Sequence, residues 1–185
     1  MSIQDALPGW TGYINGIPQS GVCYNDRALD TPSISLYDRN SQEWQPLTGN
    51  YSVYLSPSPL LPFLGPVAIG QTGRIPDFAN SLIFYTNPYG NLAVTFAGQP
   101  LQEVELGVYP TYRAVGVDIS SFAGQVGELQ FIAGPNIGSG ELDGIYFSGQ
   151  VVPEPGVLAL LSLGGIVSVA AFGRRRPRGG VDPTN

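Results

Sequence analysis

Of the side chains that carry most enzyme chemistry, this 185-residue chain has no histidine, no lysine, one cysteine and fourteen carboxylates. Without histidine there is no Ser-His-Asp or Cys-His nucleophile, no HExxH zinc site and no usual proton shuttle near neutral pH. Carboxylate-only chemistry, such as that of a glycosidase, is not excluded on that ground. Glu103 and Glu105 lie two residues apart, on one face of a strand, and Glu128 and Glu141 could pair elsewhere. Nothing in the sequence sets two of them at a glycosidase separation, so surface solubility is the better account and no catalysis is expected. Asp118 and Asp143 could ligate calcium with backbone carbonyls, since hard cations take oxygen ligands. No dense DxDxDG loop surrounds them, and turn capping is favoured. No cofactor is expected.

The other chemistry-bearing residues are aromatic. Trp10, Trp44, Tyr109 and Tyr112 are candidate platforms for the face of a sugar ring, although core and turn packing uses the same residues and is favoured. Cys23, between Val22 and Tyr24, cannot form an internal disulfide and reads as a buried structural thiol. Residues 1–152 hold four arginines against twelve acids, a balance of −8. A surface of that sign repels phosphate backbones, which argues against a nucleic-acid partner.

These residues need elements to hold them. Glycine (25) and proline (17) are abundant and helix formers are scarce before the C-terminus, which points to short strands joined by tight turns. Alternation marks strands at 33–37, 51–55 and 81–85, and another at 92–96 after the turn Asn87-Pro88-Tyr89-Gly90-Asn91. Further strands are expected at 104–109, 112–117, 127–133 and 142–147. The expectation is all-β: a jelly-roll-like antiparallel sandwich over 1–150. The segment from Pro57 to Pro66 reads as a packed loop, because Leu60, Leu61, Phe63 and Leu64 would be costly to leave wet.

The sandwich is expected to end abruptly. Residues 151–155 hold Val152-Pro153-Glu154-Pro155, whose prolines join neither a ladder nor a helix interior, so an exposed extended breaker is expected there. Residues 156–173 then run eighteen positions without a charge. As a helix they would reach about 27 Å, close to the roughly 30 Å of a bilayer core, so one C-terminal transmembrane helix is expected. Arg174, Arg175, Arg176 and Arg178 follow within 174–185, and such a cluster holds its end of a span in the cytoplasm. Residues 1–155 would then face outward.

Pro-Glu-Pro, the apolar span and the terminal arginine cluster, in that order at the chain end, resemble the tripartite PEP-CTERM sorting signal over residues 152–178. The resemblance implies export across the inner membrane, recognition by an exosortase, removal of the tail and delivery to the cell surface or extracellular matrix. Such proteins are typical of Gram-negative bacteria that make exopolysaccharide. In these terms Val152, Pro153, Glu154 and Pro155 form the recognised motif, 156–173 pauses transfer through the inner membrane, and the arginines fix orientation. Exported proteins of this kind carry a signal peptide, whereas MSIQDALPGW has neither a basic n-region nor an apolar h-region. A signal peptide, and a first strand with it, is therefore expected to be missing, leaving an exposed sheet edge near the start.

The stretches Val117-Asp118-Ile119-Ser120-Ser121-Phe122-Ala123-Gly124-Gln125, Gly127-Glu128-Leu129-Gln130-Phe131 and Leu142-Asp143-Gly144-Ile145-Tyr146-Phe147-Ser148 look like the closing strands of galactose-binding-like jelly rolls. Many domains of that fold bind sugars and many are structural. The sequence therefore leads to a non-catalytic exported surface or matrix protein. Its alternative is a lectin-like module acting on exopolysaccharide. Replacing Pro153, Glu154 and Pro155 together with Ala should leave the sandwich folded and stop tail removal in the native host. Intact mass of the mature protein checks this, and an unchanged mass would strip the motif of its role.

Overall fold

The computed structural model describes residues 1–28, 30–57, 65–134 and 136–153. The chain divides into two compact units, Met1–Val152 and Pro153–Asn185. Glu154, Pro155, the span 156–173 and the arginine cluster lie outside the described residues, as does 58–64 of the proline-rich loop. No helix among the described residues is long and apolar enough to cross a membrane.

A one-turn helix, α1 (Ile3–Ala6), opens the chain, with the Ser2 hydroxyl accepting from the Gln4 N–H. Strands follow as β1 (Thr11–Ile14), β2 (Ile17–Gln19), β3 (Cys23–Tyr24), β4 (Ser33–Asp38), β5 (Tyr51–Ser56), β6 (Val67–Arg74) and β7 (Ser81–Thr86). The rest are β8 (Ala93–Phe96), β9 (Gln99–Leu101), β10 (Glu103–Val108), β11 (Arg113–Asp118), β12 (Val126–Ala133) and β13 (Gly140–Ser148). One sheet runs β2-β1-β6-β12-β8-β9 and the other β10-β11-β7-β13-β5-β4-β3. Within them β5-β13-β7-β11 faces β6-β12-β8-β9, the strand order of a jelly roll, and from β5 on the chain crosses between the sheets at every step except β8 to β9 and β10 to β11. The expected antiparallel sandwich needs one correction: β3 runs parallel to β4, Cys23 opposite Ser35 and Tyr24 opposite Leu36. The cause is polar. Asp38, at the end of β4, accepts from the Tyr24 hydroxyl (2.6 Å) and the Asn25 amide (2.8 Å), holding β3 on that edge. Cys23 is thus half-buried on an edge strand rather than in the core.

Alternation decides which residues meet between the sheets. Leu82 and Phe84, Val115 and Val117, and Val53 and Leu55 point inward from the seven-stranded sheet, toward Ile69, Val94, Phe96, Leu129 and Phe131. The outer face of the larger sheet is fixed by register, because directly opposed residues share a face. Tyr85 stands between Ala114 and Asp143, and Ile83 between Gly116 and Tyr146.

After β13 the chain turns back on this outer face. Asn80 Nδ2 donates to the Gly149 carbonyl (2.6 Å) and the Ser81 hydroxyl to that of Gln150 (2.7 Å). Val152, expected in an exposed breaker, is instead 6% exposed. It fills the dimple over Gly116, where a Cβ would meet Val152 Cγ2 at 2.9 Å and Leu106 Cδ1 at 3.0 Å. Pro153 is exposed.

Phe131 is fully buried, edge-on to Phe84 with centroids 5.1 Å apart and 6.1 Å from Trp10. Truncating it removes the ring that both sheets pack on. Phe131→Ala should cost about 3–5 kcal/mol, read as a lower urea midpoint with unchanged slope. A loss below about 1 kcal/mol would mean the sheets do not depend on this contact.

Candidate functional site

Among the described residues, a cluster of exposed and half-buried aromatic and polar side chains grows from β7, β13 and the turn between β10 and β11. That turn is tight, with the Tyr109 N–H donating to the Tyr112 carbonyl at 2.8 Å. It is tied down by Arg113, which donates to the Gly90 carbonyl (2.6 Å) and lies 3.8 Å from Glu105. The turn thereby stacks Tyr109 on Tyr112, centroids 4.6 Å apart, and Tyr112 meets Tyr85 at 4.6 Å. Tyr146 joins from β13, and its hydroxyl, after burial, is a cause of the raised pKa of Tyr85.

What delivers Tyr146 is a break in register. Between Asp143 and Tyr146 the pairing of β13 with β7 slips, and Gly144 takes φ +57°. A side chain there would strike the Tyr85 ring at 2.3 Å, so glycine is required for both backbone and space. The four rings are not equivalent. Tyr112 has neighbours at 4.6 Å in Tyr109 and in Tyr85 and so braces the row, whereas Tyr109 and Tyr146 are each 48% exposed.

Beside Tyr85 on β13 stand two carboxylates. Asp143 accepts from the Thr48 N–H (2.8 Å), the Thr48 hydroxyl (2.7 Å) and the Gly144 N–H (2.7 Å). Glu141 accepts from the Ser52 hydroxyl, and burial, aided by the nearby Asp143, raises its pKa to about 7. Further along the face Tyr37 is buried and pushed up to about 12, chiefly by desolvation. Trp44 stacks on Tyr37 at 6.0 Å, and the Arg27 guanidinium lies 4.1 Å from the Trp44 ring centre.

A second concavity adjoins this face. Strand β13 pairs with β5 only from Gly140 to Leu142, so the two diverge and open a cleft of about 480 Å³ between the sheets. Leu36, Val53, Ile69 and Leu129 line it, with Tyr51, Asp143 and Tyr146 among its lining residues too.

The candidates named from sequence thus separate. Tyr109 and Tyr112 come together. Trp44 lies with Tyr37 and Arg27, and half-buried Trp10 packs on Phe131 and lines the cleft. Asp118 accepts from the Ser120 N–H (2.9 Å) and so caps a turn, while Asp143 bonds to the chain as described. Among the described residues no three potential metal ligands cluster. Glu128 and Glu141 do not pair. Glu128 sits on β12 in the other sheet, accepting from the Tyr13 hydroxyl at 2.6 Å. Glu103 and Glu105 do share a face, opposite Val117 and Val115, and burial raises Glu103 to about 7. Sequence reading missed Tyr85 and Tyr146 as site residues. The signal for Tyr85 was present: in 81–85 it alternates with Leu82 and Phe84 and so points away from the core.

No protein-family model matches the chain, and no curated protein matches it. Among solved structures it is similar to a family 11 carbohydrate-binding module from Clostridium thermocellum in complex with a β-1,3-1,4-mixed-linked tetrasaccharide. That likeness has 12% identity and TM-score 0.41, covering 83% of this chain and 96% of that one. It is also similar to the family 11 module of the cellulosomal cellulase Lic26A-Cel5E of the same organism, with 13% identity, TM-score 0.40 and coverages of 83% and 95%.

The raised and lowered carboxylates give the fold a pH signature. Glu103 and Glu141 go from about 4.5 when unfolded to about 7 when folded, so the native state holds their protons longer. Stability therefore falls as pH rises through that window and levels off above about 7. Asp38 is lowered by the Tyr24, Asn25 and Asn40 hydrogen bonds, so its contribution is lost as pH falls below about 4. Thermal midpoints should peak near pH 4–5 and decline toward pH 7.5, with Glu141→Gln flattening the decline. A profile rising from pH 5 to 7.5 would contradict the burial of both glutamates.

Proposed function

We propose that this chain is an exported, non-catalytic surface protein whose sandwich binds polysaccharide through the tyrosine row. One observation carries the reading: Tyr109, Tyr112 and Tyr85 stack in succession, Tyr146 stands one pair further along the same face, and the two exposed rings lie beside hydrogen-bonding side chains. A sugar ring presents an apolar C–H face and a rim of hydroxyls, and such a patch matches both, the rings by stacking and the carboxylates by accepting. Rigid, braced rings also lose little side-chain entropy on binding.

Export is part of the proposal and rests on the sequence of the tail. Pro-Glu-Pro at 153–155, the apolar span 156–173 and the arginine cluster support sorting by an exosortase, with the inner membrane as an intermediate and the cell surface or matrix as destination. The last described contacts support it too: the sandwich closes with Val152, and Pro153 is exposed. A purely structural role remains as the second reading. It is favoured by the packing of Trp44 and Trp10 against neighbouring rings, which takes two aromatic candidates out of the patch.

Affinity electrophoresis in gels containing purified exopolysaccharide or plant glucans tests the reading. Tyr109→Ala and Tyr146→Ala should each weaken binding about three- to tenfold while leaving the thermal midpoint unchanged. Identical retardation of parent and both variants would move the function elsewhere.

A further inference from the structure

Charge on and around the row narrows the ligand further. The described arginines are each engaged by groups other than Tyr109 and Tyr146. Arg74 bonds Asp77 (2.8 Å) and the Gly124 carbonyl, and Arg39 the Gly49 carbonyl. Arg113, at the foot of the turn that carries Tyr109 and Tyr112, is held by Gly90 and Glu105 with its side chain 16% exposed, and Arg27 lies over Trp44 and 6.0 Å from the ring of Tyr54. The groups next to Tyr85 are instead carboxylates. Asp143 is paired directly with Tyr85 across β7 and β13, and Glu141 lies two residues along the same strand.

Their remaining capacity is for donors. A carboxylate offers roughly four lone-pair sites. Asp143 uses three on Thr48 and Gly144, and one is left; Glu141 has a bond to Ser52 through Oε1 alone. Hydroxyls of a ring stacked on Tyr146 or Tyr85 can donate to these oxygens. A uronate or sulfate in the same position would bring a third anion beside two that are half-buried, while Arg113 is largely buried against Gly90 and Glu105 and Arg27 is spread over Trp44 and Tyr54.

We propose that the polysaccharide bound at the tyrosine row is uncharged, and that Glu141 and Asp143 make the site reject polyanionic glycans. This rests on the glycan-binding reading above and adds a selectivity which that reading does not require. It is also a choice the tyrosines could not make alone, since every pyranose has an apolar face.

The test uses the full-length chain in detergent with three neutral polymers: a glucan, a mannan and a galactan. Each is offered as such and after oxidation of its C6 hydroxyls to carboxylates, at pH 8 and low salt. At least one neutral polymer should bind, with its oxidised form at least about tenfold weaker and the gap narrowing as salt rises. Glu141→Gln and Asp143→Asn should narrow the gap at low salt, with folding checked by circular dichroism. Equal or tighter binding of an oxidised polymer would overturn the selectivity and leave glycan binding standing. So would a gap that neither variant changes. No binding to any of the six polymers, with Tyr109→Ala indistinguishable from the parent, would overturn the glycan reading itself.

Discussion

The slip in register within β13 governs most of what the outer face can do. In a regular ladder the side chain after Asp143 on that face would come from Ile145. The slip at Gly144 and Ile145 inserts a residue, so that Tyr146, not Ile145, comes to stand opposite Ile83. It also bends β13 away from β5, so the cleft and the delivery of Tyr146 share one cause. The slip depends in turn on a residue that tolerates φ +57° beneath an aromatic ring, and only glycine does both. A polar contact closes the arrangement: Asp143, at the start of the slip, takes both donors of Thr48 and fixes the loop before β5 against β13.

Buried acids bear on the same face in a second way. A solvated glutamate stays charged at neutral pH and adds solubility, as the sequence reading assumed. Glu103 and Glu141 are withdrawn from water, and each titrates near 7. Asp38 is more enclosed by area than either but behaves oppositely, because Tyr24, Asn25 and Asn40 donate to it. The difference lies in donors, not in burial: Asp38 has several, Glu141 gains only Ser52 and faces Asp143, and Glu103 has only the charge of Arg113 nearby.

How far the sequence reveals this depends on the kind of signal each element leaves. Strands β4, β5, β7, β8 and β10 to β13 were legible, most clearly where period-two alternation is strong, as in Ser33–Tyr37 and Ser81–Tyr85. Strand β6, central in the smaller sheet, was missed. Its second half, Gly70-Gln71-Thr72-Gly73, is polar and glycine-rich, and it is a strand because β1 and β12 close on both sides of it. The hairpin of β1 and β2 left a signal that went unread: Asn15-Gly16, both at positive φ, is a favoured hairpin pair. That of β8 and β9 left almost none, since Ala97 at φ +49° is a residue type seldom found there. The site shows the same division. Tyr109 and Tyr112 were both named from sequence, while Tyr85 joins them through the pairing of β7 with β11 and Tyr146 through that of β13 with β7.

Val152 shows how a linear motif and a fold can share a residue. Read in sequence, it opens the Pro-Glu-Pro stretch and belongs with the tail. In the fold it belongs to the sandwich, seated over Gly116 between Leu106 and Ile83. The backbone leading to it is held by Asn80 and Ser81, two residues at the start of β7. Those bonds join the last strand's exit to the neighbouring strand's entry, so the segment is not a free linker. Removal of everything after Val152 would leave each of these contacts intact, which makes Val152 the natural last residue of the folded unit.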